Sequence, residues 1–103
     1  MADTRLIDPL GRTVVLHGHT WFGHVIKQHP DMRPYRRLAE AAVRDPLEIR
    51  LSDADPNSRF YYGTGPRAGM MVAVVVDISR RLVRTAHLST EARGVIEWSK
   101  PTP

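Results

Sequence analysis

The chain contains no cysteine among its 103 residues, which excludes disulfide bonds, thiolate zinc sites and a cysteine nucleophile. Long apolar runs are absent too. The longest, from Met70 to Val76, suits one buried strand and is far shorter than the roughly 20 residues of a membrane-spanning helix. The first twenty residues carry no apolar signal core. We therefore expect a soluble, cytoplasmic protein with no membrane partner.

Lysine is scarce, because Lys27 and Lys100 are the only two, and arginine supplies the rest of the 15 basic residues. Against 11 acidic residues this gives a formal net charge of +4. Arginine makes planar, bidentate contacts with phosphate, and a basic surface attracts polyanions. High-GC codon usage also favours arginine over lysine. The charge therefore permits a nucleic-acid partner without demonstrating one.

Length and composition predict one globular domain over residues 1–103. With 42% apolar residues, the chain can form one hydrophobic core but has no room for a second. We expect the core to span about residues 6–99, followed by a loose tail at 100–103.

The first third of the chain predicts a β-hairpin followed by a helix. Residues 4–17 contain two β-rich segments around a turn of Asp-Pro-Leu-Gly composition. Thr20 is expected to cap a helix that runs to about His29 and stops before Pro30. Its i,i+4 apolar pairs, expected to define the buried side, are Trp21/Val25 and Phe22/Ile26.

The rest of the chain predicts a second helix and then strands. Pro34 suits the first turn of a helix that runs to about Arg44. Five β-rich segments follow, at about 47–51, 59–62, 70–78, 82–88 and 94–98. Because the connections are short, neighbouring strands should be antiparallel. The predicted class is α+β, with an N-terminal hairpin and two helices packed on a four- to five-stranded antiparallel sheet.

Several residues have the chemistry that metal-independent RNA cleavage needs: a base, an acid, and donors or cations for the phosphate. Alternation places Tyr62 on one face of its strand, and Thr85 and His87 together on one face of theirs. A sheet face bearing these three, with His24 above it, is the predicted site. The candidates are His24, His29, Arg59, Tyr62 and Thr85 for catalysis, and Arg67, His87 and Lys27 for binding the substrate.

A His-x-His pair, His17 and His19, suggests a metal site as an alternative, since such a pair on a strand places both rings on one face. A third ligand at diagnostic spacing is missing from the sequence. Gly63-Thr64-Gly65 precedes a strand rather than a helix, so it is not a nucleotide-binding signature. We expect no metal and no small-molecule cofactor.

Taken in order, the motifs resemble the phage- and mobile-element-associated branch of the Barnase–EndoU–colicin–RelE-like nuclease superfamily. The resemblance covers about residues 6–99. The motifs that carry it are Asp8-Pro9-Leu10-Gly11-Arg12, Val14-Val15-Leu16, Trp21-x-x-His24-Val25-Ile26-x-x-His29-Pro30-Asp31-Met32, Pro46-Leu47-x-Ile49, Arg59-Phe60-Tyr61-Tyr62, Val83-Arg84-Thr85-Ala86, and Gly94 with Trp98.

The resemblance implies N-terminal helices against a curved antiparallel sheet, and RNA cleavage at its concave face to a 2′,3′-cyclic phosphate. By position, His24 and His29 are similar to the family's helical histidine motif. Arg59 and Tyr62 match its hairpin elements, and Thr85 matches its strand hydroxyl. The implied partner is RNA, with tRNA as one candidate. Since many members are toxins, a cognate inhibitor or immunity protein is also implied.

Two other functions stay open at this stage. A non-catalytic RNA- or protein-binding module would keep the basic face but would not depend on any single imidazole. A His-ligated metal protein would depend on His17 or His19.

Overall fold

One curled seven-stranded sheet organises residues 2–102, the part of the chain that the computed structural model describes. Its strands run in the spatial order β1-β2-β6-β5-β4-β3-β7. Their bounds are β1 Thr4–Ile7, β2 Thr13–Leu16, β3 Glu48–Leu51, β4 Ser58–Thr64, β5 Met71–Asp77, β6 Leu82–Ser89 and β7 Ile96–Ser99.

The N-terminal hairpin is part of this sheet. β1 and β2 pair with each other, and β2 joins β6 in parallel at Val15 and Leu82. All other neighbours are antiparallel. The α+β class is confirmed, and the five strands predicted after the helices form an antiparallel series, β6-β5-β4-β3-β7. The prediction is only partly matched, because the N-terminal hairpin extends this sheet to seven strands through a parallel pair instead of packing on it. That pair joins segments far apart in sequence, which a local pattern does not encode.

The first helix, α1 (residues 18–28), is irregular. It consists of an α-helical turn Gly18–Thr20, a π-helical turn Trp21–Val25 and an α-helical turn Ile26–Gln28. The predicted cap at Thr20 was wrong. The helix begins earlier because the Asp3 carboxylate accepts a hydrogen bond from the Gly18 N–H at 2.8 Å. As predicted, the helix stops before Pro30.

The π-helical turn decides which side chains of α1 are buried. The Ile26 N–H donates to the Trp21 carbonyl, five residues back, so Trp21, Val25 and Ile26 share the buried side of the helix. These three are buried, whereas Phe22 is 42% exposed. The predicted burial of Phe22 was therefore wrong, because the wider turn shifts the register that the i,i+4 pairing assumed.

The second helix, α2 (Arg36–Arg44), follows a 3-10 segment, Pro30–Tyr35. It buries Ala39, Ala42 and Val43 against the sheet. Its approach to β4 is close. A Cβ at Gly63 would lie 2.5 Å from the Ala42 Cβ, so only glycine fits there without displacing the helix.

The two faces of the sheet carry different side chains. The core face, toward α2, has Ile49, Tyr61, Val74 and Ala86 in one register row, and all four are buried. The opposite face, here the cleft face, has two rows. Its members are Phe60, Val75 and Thr85 in one row, and Tyr62, Ala73 and His87 in the other.

A polar network ties the turn after β1 to the last strand. Arg12 pairs with Asp8 at 2.8 Å and with Glu97 of β7 at 2.7 Å. The Tyr61 hydroxyl donates to Asp8 at 2.5 Å, and Arg59 pairs with Glu97 at 2.9 Å. Because β1 and β7 are the two edge strands, this network, here the clasp, joins opposite ends of the curled sheet.

Within residues 2–102, the structure has no helix that is both long enough and apolar enough to cross a membrane.

Candidate active site

A cleft of about 910 Å³ opens on the cleft face, between α1 and the loop after β3. The sheet contributes Phe60, Val75 and Thr85 to its lining. α1 contributes His24, and the loop contributes Asp55. The cleft therefore combines an apolar, aromatic floor with polar groups at its sides, which is the usual composition of a ligand site.

His24 reaches the cleft because of where α1 packs. β2 pairs with β6 at Leu82 alone, and α1 contacts β6. The π-helical turn places Gly23 and His24 on the exposed side, toward the cleft. Single π-helical turns occur frequently at functional sites, because they redirect individual side chains.

Thr85 presents a buried hydroxyl that has no partner. Its Oγ1 is the only buried side-chain oxygen or nitrogen within residues 2–102 that makes no hydrogen bond. Buried polar groups in native proteins are almost always paired, so this exception beside a cleft calls for an explanation. Since the Thr85 side chain lines the cleft, a rotation that turns its hydroxyl outward would let it donate to a bound ligand.

A β-bulge brings Arg84 to the same cleft. The register shifts so that Val75 faces Thr85 while Val76 faces Val83, which leaves Arg84 as the extra residue. Bulges re-aim side chains and are common beside active sites. Thr85 and Arg84, although adjacent in a strand, therefore both line the cleft.

Arg84 is held loosely at the rim. Its Nη1 lies 3.3 Å from the Asp55 carboxylate and 3.1 Å from the Ser58 hydroxyl. Hydrogen bonds from the Asn57 N–H and the Ser58 hydroxyl lower the pKa of Asp55, so it is ionised at neutral pH. Since the Arg84 side chain is 52% exposed, this pair is weak and Arg84 can turn to an anion.

A second recess of about 480 Å³ adjoins the cleft, and Phe60 lines both. Tyr62, His87 and Arg93 also line this recess. The Tyr62 hydroxyl accepts a hydrogen bond from the Arg93 N–H at 3.1 Å. Tyr62 therefore fixes the loop that forms the far side of the recess.

His87 lies beside a second imidazole. Its ring centroid is 5.5 Å from that of His29. Burial lowers the pKa of His87, and the neighbouring His29 lowers it further, whereas Asp31 acts in the opposite direction. His87 is therefore neutral at pH 7 and can accept a proton.

The structure brings most of the predicted residues to one face. His24 and Thr85 line the cleft, Tyr62 and His87 line the recess beside it, and His29 contacts His87.

Three of the predicted residues lie outside both the cleft and the second recess. Arg59 contacts Glu97 in the clasp, on the strand face opposite Phe60. Lys27 is exposed on α1. Arg67 lies farther along the cleft face, in a third recess of about 570 Å³.

Sequence reasoning missed the functional importance of Phe60 and Arg84. Phe60 shares its strand face with Tyr62, so alternation alone could have placed it at the site. Arg84 has a weaker signal. Val83 and Ala86 are both buried although they are three residues apart, and this break in alternation is typical of a bulge.

The clasp was missed as well. The turn composition at Asp8 was recognised, but the pairing of Asp8 with Tyr61, 53 positions away, and of Arg12 with Glu97, 85 positions away, has no local signal. Burial would raise the pKa of Asp8, but hydrogen bonds from Tyr61 and Arg12 outweigh it and lower that pKa. Burial likewise opposes the hydrogen bonds from Arg12 and Arg59 that lower the pKa of Glu97. Both carboxylates are therefore ionised.

His17 and His19, the basis of the metal alternative, stack on each other with ring centroids 5.1 Å apart. His17 also contacts Asp3 at 3.2 Å. No three His, Cys, Asp or Glu side chains within residues 2–102 come together as a group that could hold a metal ion.

Comparison of the chain with protein-family models, with curated proteins and with solved structures finds no match.

Proposed function

We propose that this protein is a metal-independent endoribonuclease. The RNA backbone would lie in the cleft, and the ribose 2′-hydroxyl would attack the adjacent phosphorus, expelling the 5′-oxygen and leaving a 2′,3′-cyclic phosphate. The observation that carries the proposal is the cleft itself, where two imidazoles (His19 and His24), one unpartnered hydroxyl, one arginine and one aromatic ring converge. The resemblance to the nuclease superfamily supports the same reaction.

His24 transfers a proton in this mechanism, as general acid or general base. It is exposed to the cleft, so its ring can reach a bound nucleotide. A positioned proton-transfer group of this kind contributes ~100- to 10,000-fold.

Thr85 and Arg84 stabilise the phosphate as negative charge accumulates on its oxygens. The Thr85 hydroxyl donates a hydrogen bond, and the Arg84 guanidinium supplies charge after leaving Asp55. Such pre-positioned donors are often the largest single contribution to catalysis. Phe60 offers an aromatic face on which a base can stack.

The second recess contributes the remaining imidazoles. Neutral His87 can accept a proton or a hydrogen bond there, and His29 and Tyr62 hold the two sides of that recess in place. A toxin-like or phage-associated role, with a cognate inhibitor as partner, belongs to the same proposal and is supported by the resemblance alone.

The test is cleavage of total RNA by the purified protein in excess EDTA, compared with His24→Ala. We expect EDTA-resistant cleavage that falls at least ~100-fold in the variant. His17→Ala is the matched control, because it removes an imidazole outside the cleft, and it should cleave normally. Full activity in His24→Ala would contradict the assignment.

One observation favours a second candidate, a non-catalytic RNA-binding module. Arg59, the arginine that the resemblance assigns to catalysis, lies outside the cleft in the clasp, while Phe60 and Arg84, which could stack on a base and pair with a phosphate, stay in the cleft. Salt-sensitive RNA affinity without any cleavage would support this candidate instead.

A further inference from the structure

The cleft does not end at the second recess. The cleft and the second recess share Phe60, and the second and third recesses share Met70 and Thr90. The three recesses therefore lie next to one another, and this series, here the track, runs from His24 to Arg67. It therefore extends well beyond the residues that the proposed reaction uses.

The track follows the direction of the strands. On β4 its lining passes from Phe60 through Tyr62 to Thr64, and on β6 it passes from Thr85 to Ser89. Residues on one strand face recur every ~6.6–6.8 Å, so each of these stretches covers about 13 Å. That length exceeds what one nucleotide needs.

Each section of the track carries one arginine: Arg84 in the cleft, Arg93 in the second recess and Arg67 in the third. Two of them have acidic neighbours. Arg84 pairs with Asp55 and Arg93 with Glu91, but in both pairs the arginine side chain is more than half exposed. Exposed pairs of this kind are weak, so either arginine can turn to an anion at little cost.

The third recess is lined by Arg67 together with apolar, glycine and threonine residues, and no acidic residue takes part. The charge of Arg67 is therefore not compensated within that lining. The track offers three arginines in series and an aromatic ring between its first two sections. These groups fit a partner that has regularly spaced negative charges and flat rings. Single-stranded RNA has both features.

We propose that the track binds a single strand of RNA several nucleotides long, with the cut phosphate at His24 and Thr85 and the chain continuing over Phe60 to Arg67. This inference rests on the proposed function for the identity of the strand as RNA. It adds that the substrate is an extended, unpaired strand and that Arg67 is a binding residue remote from the reaction.

The test measures binding of 2′-O-methyl RNA, which cannot be cleaved by this chemistry, as a dinucleotide and as a dodecamer. Arg67→Ala should weaken dodecamer binding roughly three- to tenfold and leave dinucleotide binding unchanged. The slope of log affinity against log salt for the dodecamer should become shallower by ~0.7, the value for one lost phosphate contact. Arg37→Ala, an exposed arginine on α2 outside the track, is the charge-matched control.

Phe60→Leu supplies an independent check within the same assay. It keeps an apolar side chain of similar bulk but removes the stacking surface, and should weaken dodecamer binding roughly tenfold. Phe22→Leu, the exposed phenylalanine of α1, is the control and should bind normally.

The outcomes separate the two proposals. Equal effects of Arg67→Ala and Arg37→Ala on the dodecamer would overturn the track, even if the protein cleaves RNA. Arg67-dependent binding of the dodecamer by a protein that cleaves no RNA would uphold the track and overturn the proposed reaction.

Discussion

Thr85 is the single residue at which stability and activity should change in opposite directions. Its buried Oγ1 has no hydrogen-bond partner among residues 2–102, so Thr85→Val exchanges an unsatisfied hydroxyl for a methyl group of similar size. The free energy of unfolding should stay level or rise by up to about 1 kcal/mol. RNA cleavage should fall about 100-fold, because a donor to the phosphate is lost.

Urea unfolding and cleavage kinetics of the same preparations check this prediction. Thr13→Val on β2, outside the cleft, makes the same chemical change and should leave cleavage unaltered. A Thr85→Val protein that unfolds more easily and cleaves normally would show that the hydroxyl is merely structural.

His87 predicts a pH dependence of stability. Burial and the neighbouring His29 lower its pKa below the ordinary value of 6.5, so the folded protein binds this proton less readily than the unfolded chain does. The contribution of His87 is fully present above pH 6.5 and is lost as the pH falls below it, by at most ~1.4 kcal/mol per pH unit. Urea unfolding of the wild type and His87→Gln between pH 7.5 and 5 checks this. A stability difference that does not change with pH would contradict it.

At the residue scale, alternation along a single strand could be predicted from sequence, and it placed Thr85 and His87 on one face of their strand. That Tyr62 shares this face of the sheet was a hypothesis, and the register of β4, β5 and β6 agrees with it. The role of Arg59 could not be predicted from sequence. Alternation puts it opposite Phe60, but its partner Glu97 lies 38 residues away. Only the curled sheet shows that Arg59 belongs to the clasp and not to the cleft.

At the scale of elements, the contact between α2 and β4 depends on a glycine. A side chain at Gly63 would meet the Ala42 Cβ at 2.5 Å, so Gly63→Ala should lower the free energy of unfolding by about 1–3 kcal/mol. Gly23→Ala on α1 is the control, because a Cβ there meets nothing within 4 Å and alanine favours helix. Urea unfolding measures both, and equal stability of the two variants would contradict the close approach.

Local patterns predicted the hairpin, the C-terminal ends of both helices and most of β3 to β7. They failed where one element is shaped by another. The start of α1 depends on Asp3, and the exposure of Phe22 depends on a π-helical turn that puts Trp21, Val25 and Ile26 on the buried side instead. Neither feature follows from the sequence of the helix alone.

At the scale of the whole molecule, the clasp should contribute strongly to stability, because it joins the two edge regions of the sheet through buried groups. Asp8→Ala leaves Arg12 and Tyr61 without their buried partner, and should cost about 3 kcal/mol of unfolding free energy. Lys100→Ala removes the exposed pair with Asp45 and should change stability by no more than about 0.5 kcal/mol. If Asp8→Ala and Lys100→Ala lose the same unfolding free energy in urea, the clasp is only a surface contact.

The strand order was the part of the whole molecule that sequence could not supply. Pairing of β2 with β6 and of β3 with β7 joins segments about 65 and 50 positions apart, and several arrangements satisfy the same alternation. The cleft depends on that order, because β2 pairs only with the start of β6, at Leu82. The remaining edge of β6 is left open, and α1 packs there.

The most direct measurement is cleavage, in excess EDTA, of a single-stranded RNA oligomer and of the DNA oligomer with the same sequence, followed by identification of the product ends. If the cleft acts through the 2′-hydroxyl, the RNA is cut to 2′,3′-cyclic phosphate ends and the DNA is left intact. Cleavage of both the RNA and the DNA oligomer, cleavage that EDTA abolishes, or no cleavage by the folded protein would contradict the account.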